Sequence, residues 1–148
     1  MKIRLANKFD IPELKRMLWN YHNSGNIKGL DVTNEETGLR ILTMILIGGG
    51  MALVAEKKPG QLVGMLLAVR VPFLWDQTKI VMNEIAYWVD EENRGSTAGY
   101  RLLQKYSDLC SDMKLDKKLF SYTMSQMNGQ NLDYTRFGFK PIETTWSA

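Results

Sequence analysis

Lys79 to Val89, KIVMNEIAYWV, reads as a strand, and Ser96 to Met113 reads as a helix, with only a short glycine-bearing turn between them. Leu102, Leu103, Tyr106, Leu109, Cys110 and Met113 recur along one face of that helix. A strand that turns straight into an amphipathic helix must lay the helix back across a sheet, so the chain is held to a mixed α/β architecture. The turn has its own chemistry. The first amides of a helix have no intrahelical partner and sit at the positive end of its dipole. In VDEENRGSTAG, Gly95 and Gly99 allow close approach of a backbone and Arg94 adds a charge. Such a turn can cradle a pyrophosphate. It also fits an ordinary strand-to-helix connection with Ser96 or Thr97 as the helix cap. Neither G-x-x-x-x-G-K-[ST] nor G-x-G-x-x-G occurs, so a nucleoside triphosphate P-loop and a dinucleotide fold are unsupported.

The remaining elements follow from periodicity. KIRLA opens as a strand. A helix over Asp10 to His22 follows, with Asp10 as N-cap and Pro12 in its first turn. Asn23 to Val32 reads as a loop. Thr33 to Ile47 reads as a second helix, with Thr33 and Glu36 as a capping box and Gly48 to Gly50 as its stop. MALVAE and QLVGMLLAVRV are strands joined by the turn KKPG, and Pro72 to Thr78 reads as an apolar loop. After the long helix come a strand, KLFSYTM, a short helix, GQNLDYTRF, stopped by Gly138, and a last strand, FKPIETTW. The predicted order is β, α, α, β, β, β, α, β, α, β in a single domain, 1–148.

Composition removes several function classes. The net charge of +3, without a basic run, tolerates an anionic ligand but does not argue for nucleic acid. Cys110 is the sole cysteine and His22 the sole histidine, so neither a disulfide nor a metal-ligand cluster is expected. The reading is no metal, a reducing compartment and a cytoplasmic location. Cys110 lies in the apolar stripe of its helix and reads as a buried small hydrophobe. The greasiest stretch, Ile41 to Ala55, is broken by three glycines and falls short of the roughly 20 apolar residues a membrane span needs.

The turn VDEENRGSTAG resembles the acyl-CoA-binding signature of the GNAT superfamily of N-acyltransferases. Arg94, Gly95 and Gly99 match it, and Thr97 stands where the family usually has its middle glycine. YTRFGFKPIE resembles a second element of that family, with Tyr134, Gly138 and Phe139 at the expected spacing. The element order and the 148-residue length are similar too, and the compact form resembles short bacterial or bacteriophage members. The resemblance implies a central, mostly antiparallel, splayed sheet of about six to seven strands flanked by about four helices.

It also implies an activity: transfer of an acetyl group from acetyl-CoA to a primary amine by direct attack in a ternary complex. By this resemblance Arg94, Gly95, Ser96, Thr97, Ala98 and Gly99 bind the CoA pyrophosphate, and main-chain groups near Trp88 and Val89 hold the pantetheine arm and acyl carbonyl. The acceptor is a small molecule, a peptide N-terminus or a lysine. A CoA-binding or regulatory module with little catalysis is the alternative. Direct attack needs a base and an acid. Glu84 is the candidate base, on a strand face expected to carry Ala86 and Trp88 as well; a sheet-edge Glu paired with Lys or Arg is the plainer reading. Tyr134 is the candidate acid, or else a packed helix tyrosine. Phe73 and Trp75 are candidates for an acceptor-pocket wall, with a homodimer contact or core packing as the other readings.

Overall fold

The computed structural model describes residues 1–25, 29–126, 133–146 and 148. Strand β1 (Lys2–Leu5) leads into helices α1 (Ile11–Ser24) and α2 (Glu35–Leu46). Strands β2 (Gly50–Lys58), β3 (Gln61–Phe73) and β4 (Asp76–Val89) follow, then helix α3 (Ala98–Leu115) and strand β5 (Ser121–Thr123). The sheet order is β1-β2-β3-β4-β5. The first four strands pair antiparallel, and β5 lies parallel to β4 across the α3 crossover.

Helical spacing in α1 buries Leu14, Met17 and Leu18. These meet Ile41 and Met44 of α2, and together they cover Val54, Met65, Leu67, Ala86 and Trp88 on one sheet face. On the other face Leu102, Leu103, Tyr106 and Cys110 of α3 cover Leu53, Leu66, Ala68 and Met82. Cys110 is fully buried, as its place in the stripe predicts, and burial pushes its thiol up to about 12. Central strands that are covered on both faces read as continuous apolar runs, which is the pattern of β2 and β3.

Four expectations are corrected. Asn34, not Thr33, caps α2: its Oδ1 accepts from the Thr37 amide at 2.8 Å, while the Thr33 hydroxyl turns back to Asp31. Asp10 stands at the N-cap position of α1 without capping it, because its carboxylate accepts from the Arg4 guanidinium and the Asn7 amide. Pro72 to Thr78 is no loop. The ladder runs on through Val71↔Val81 and Pro72↔Ile80 to Phe73↔Asp76, and a tight turn at Leu74 and Trp75 closes the hairpin. FKPIETTW forms no strand among the described residues: Pro141 lacks a ladder donor, and past Phe139, which packs against Tyr122 and Tyr134, Ile142 and Trp146 stay exposed. Five strands and three α-helices therefore stand among the described residues, fewer than expected. The start of the predicted helix GQNLDYTRF lies outside them; its end is a 3-10 turn, Thr135–Phe137, stopped by Gly138 at φ +82°. Residues 26–28 of the predicted loop Asn23 to Val32 also lie outside them.

Candidate active site

The site follows from how β4 leaves its neighbours. The Asp90 amide donates to the Val63 carbonyl at 2.9 Å. In an antiparallel ladder the donors alternate, so Asp90, Trp88 and Ala86 aim their main-chain groups at β3, and Val89 and Tyr87 aim theirs at the opposite edge. On that edge β5 pairs only with Val81, Met82 and Asn83. From Glu84 to Val89 the edge has no ladder partner among the described residues. Among the described residues the sheet thus opens beyond β5 into a cleft, and Val89 presents its main-chain groups to it. Trp88 contributes a ring instead.

A register slip aims Glu84. Ala86 pairs with Leu67 and Glu84 with Ala68, which leaves Ile85 as an unpaired bulge residue. Glu84 therefore does not share a face with Ala86 and Trp88, as simple alternation predicts. Those two pack under α1 and α2, whereas Ala68, opposite Glu84, packs in the α3 layer. Glu84 is only 4% exposed, and among the described residues no Lys or Arg pairs with it. Burial pushes its carboxyl up to about 7, opposed by the Ser125 amide, which donates to Oε2 at 2.9 Å.

Tyr134 reaches the same place. Its hydroxyl donates to the Ser125 carbonyl at 3.1 Å, so Ser125 holds both candidate catalytic side chains, one on its amide and one on its carbonyl. Tyr21 of α1 and Tyr87 of β4 complete an aromatic surround. Burial, then the Glu84 charge, pushes both phenols up to about 12, and Tyr134 is raised by the same causes. Tyr106 ties the seam beneath: its hydroxyl donates to the Thr123 carbonyl at 3.0 Å. The Thr123 hydroxyl in turn bonds Asn83 Oδ1 at 3.1 Å.

The glycine-bearing turn stands at the far end of the cleft. Gly95 has φ +87°, a left-handed conformation that glycine adopts without strain. Gly99 sits where helix meets strand, since a Cβ there would lie 2.9 Å from Tyr87 Oη. Ser96 accepts from the Ala98 amide, so it serves the helix start, while the exposed Thr97 side chain makes no cap. The Arg94 and Ser96 amides are spent on Glu91 and Asn93. Those of Gly95, Thr97, Gly99 and Tyr100 have no hydrogen bond within the described chain. Arg94 lies over the Trp88 ring at 4.5 Å and donates from Nε to the Val89 carbonyl at 3.0 Å. Four bare amides beside a guanidinium fit a diphosphate.

Phe73 and Trp75 do not join this cluster. Trp75 is 82% exposed at the hairpin tip, Phe73 stacks near Phe120, and the run of β4 from Asp76 to Glu84 puts them on the order of 25 Å away. His22 packs edge-on against Tyr21 near the end of α1. No metal-binding group of His, Cys, Asp or Glu occurs among the described residues. Sequence reasoning missed Ser125, Tyr21, Tyr106, Asp90 and Arg16. Asp90 is buried and takes both Arg16 Nη atoms, at 2.7 and 3.1 Å, across 74 positions of chain; no local pattern marks such a pair.

A family model described as the acetyltransferase (GNAT) family matches residues 13–139. No curated protein matches the sequence. The fold is similar to that of glucosamine-6-phosphate N-acetyltransferase from Arabidopsis thaliana (TM-score 0.74, 17% identity, covering 99% of this chain and 96% of that one). It is similar to a predicted acetyltransferase with acetyl-CoA from Clostridium acetobutylicum (TM-score 0.76, 14% identity, 99% and 94%). It is also similar to a ribosomal-protein-alanine N-acetyltransferase from Brucella melitensis biovar Abortus (TM-score 0.62, 16% identity, 100% and 96%).

Proposed function

Because the chain belongs to the acetyltransferase (GNAT) family, we propose that it moves an acetyl group from acetyl-CoA to a primary amine by direct attack in a ternary complex. The observation that carries the reading is Glu84: a buried carboxyl without a cationic partner among the described residues, pushed up to about 7 at the point where β4 loses β5, and one residue away from Tyr134 through Ser125. Two of the structural neighbours are named for amine acetylation, one of an amino sugar phosphate and one of a protein alanine, and a third was solved with acetyl-CoA.

The bare amides of Gly95, Thr97, Gly99 and Tyr100, with Arg94, hold the diphosphate. The cleft-facing main-chain groups of Val89 and Tyr87 hold the extended pantetheine arm, which lies along the edge that β5 leaves open. The acceptor enters as the neutral amine, and Glu84 takes the proton that its nitrogen loses as it attacks. The amine nitrogen forms a bond to the acetyl carbonyl carbon, and the carbon–sulfur bond breaks. Tyr134, which its raised pKa keeps protonated, turns from the Ser125 carbonyl to protonate the leaving thiolate. Solvent exchange restores both groups.

The test has two parts. Acetyl-CoA and CoA raise the unfolding temperature, because they bind the native state alone. Free thiol then appears with acetyl-CoA and one class in a panel of amino sugars, peptide N-termini and lysine peptides. No thermal shift at millimolar ligand sinks the reading. A shift without thiol release across the panel leaves a CoA-binding module and removes the enzyme.

A further inference from the structure

Arg94 does not stand alone over the cleft. Its guanidinium lies 4.5 Å from the Trp88 ring centroid. Trp88 Nε1–H donates to Asp90 Oδ1 at 2.9 Å inside the protein. Asp90 is held by both Nη atoms of Arg16, which also donates from Nε to Glu13 at 3.0 Å. The contacts form one line from the middle of α1 to the turn after β4. Each step has a physical consequence. The fork of Arg16 fixes the plane of the Asp90 carboxylate. That carboxylate fixes the Trp88 indole by its only donor and polarises it, which makes the ring face more attractive to a cation. The ring face then sets where the Arg94 side chain rests. Val89 O, its other partner, is a main-chain atom of the same strand end.

We propose that Arg16 is a positioning residue for the anion-binding turn, acting through Asp90 and Trp88 on Arg94. The proposal rests on the reading of that turn as a CoA diphosphate site. It assigns an acyl-CoA role to a helix α1 residue on the opposite side of the strand from the turn. Arg16 touches no substrate. It limits the places Arg94 can occupy, so the guanidinium waits beside the bare amides instead of ranging through solvent.

The test is a double-mutant cycle on CoA affinity, read by calorimetry on the full chain. Arg16→Met weakens CoA binding by about three- to tenfold in the wild-type background, and in turnover the loss appears in the KM for acetyl-CoA, not in kcat. In an Arg94→Ala background the same Arg16→Met change alters affinity by less than about twofold, because the residue it acts through is gone. Equal losses in both backgrounds overturn the proposal and make Arg16 a structural residue only. Where Arg16→Met does not fold, Trp88→Phe runs the same cycle: it keeps a ring beneath Arg94 and removes the Nε1–H that couples it to Asp90. A wild-type protein that binds no CoA removes the acetyl-CoA reading itself, whereas binding with additive losses removes the relay alone.

Discussion

Glu84 is a buried carboxyl that has no cation among the described residues to offset its charge, and its pKa, pushed up to about 7, has two measurable consequences. The first concerns stability. The folded value lies above the ordinary 4.5, so between these two values the folded protein keeps a proton that the unfolded chain has lost. Stability contributed by the protonated carboxyl is fully present below about 4.5 and is lost as pH rises to about 7, on the order of 3 kcal/mol in all. Glu84→Gln removes that loss, and the Gln side-chain carbonyl still accepts from the Ser125 amide. Urea unfolding at pH 5 and pH 8 should therefore show a wild type that is weaker at pH 8 and a variant that changes far less; a parallel drop in both excludes Glu84 as the cause. The second consequence concerns rate. A base works when ionised, so kcat rises with pH through about 7, and in Glu84→Gln that limb disappears while CoA affinity stays. Glu84 and Tyr134 were legible in the sequence as candidates, the one from its place on a strand and the other from the resemblance that YTRFGFKPIE carries. Their meeting at Ser125 was not, because the Ile85 bulge that turns Glu84 depends on pairing with β3, and no local pattern reports a cross-strand slip.

At the scale of elements, α3 rests on β4 through Gly99. A Cβ there would stand 2.9 Å from Tyr87 Oη and 3.5 Å from Val89 Cγ2. Gly99→Ala sets two effects against each other. Helix propensity gains up to about 1 kcal/mol, while the overpacked contact costs about 1–3 kcal/mol. The net loss of stability should be small, roughly 1 kcal/mol, because the obstacle is the far end of one side chain. The functional loss should be larger: moving the first turn of α3 off β4 displaces the bare amides, so the KM for acetyl-CoA rises by more than fivefold, on the order of 1 kcal/mol of lost binding. An unchanged KM detaches the turn from CoA. The strand–turn–helix itself was legible, because β4 and α3 carry different periods on either side of the glycines. The β3–β4 hairpin was not. Phe73, Leu74 and Trp75 carry no turn residue that marks a two-residue connection, and only the continued ladder reveals it. The last strand failed for another reason: a strand would put Phe139 on one face of FKPIETTW and Ile142 and Trp146 on the other, and only Phe139 finds cover, against Tyr122 and Tyr134.

The whole molecule is a four-stranded antiparallel sheet between two helical layers, to which the last part of the chain is tied by a narrow seam. Only Val81, Met82 and Asn83 pair with β5. That seam has to be both closed and short: closed, so that Ser125 is held against Glu84 and Tyr134, and short, so that the edge from Glu84 to Val89 stays without a ladder partner among the described residues. Side chains take over where the ladder stops. Thr123 donates its hydroxyl to Asn83, and Tyr106 of α3, fully buried, donates to the Thr123 carbonyl. Tyr106→Phe keeps the ring and the α3 packing but leaves that carbonyl without its donor, at a cost of about 1–3 kcal/mol. For a chain of this length the unfolding temperature should fall by roughly 3–10 °C. The location of the loss distinguishes a seam from ordinary core packing. If Tyr106 holds the seam, native-state hydrogen exchange speeds up at β5 and at the Ser125 amide while β2 and β3 keep their protection. Uniform acceleration across the sheet would instead mark Tyr106 as core alone, and the cleft would then owe its shape to the length of β5 rather than to the side chains beneath it.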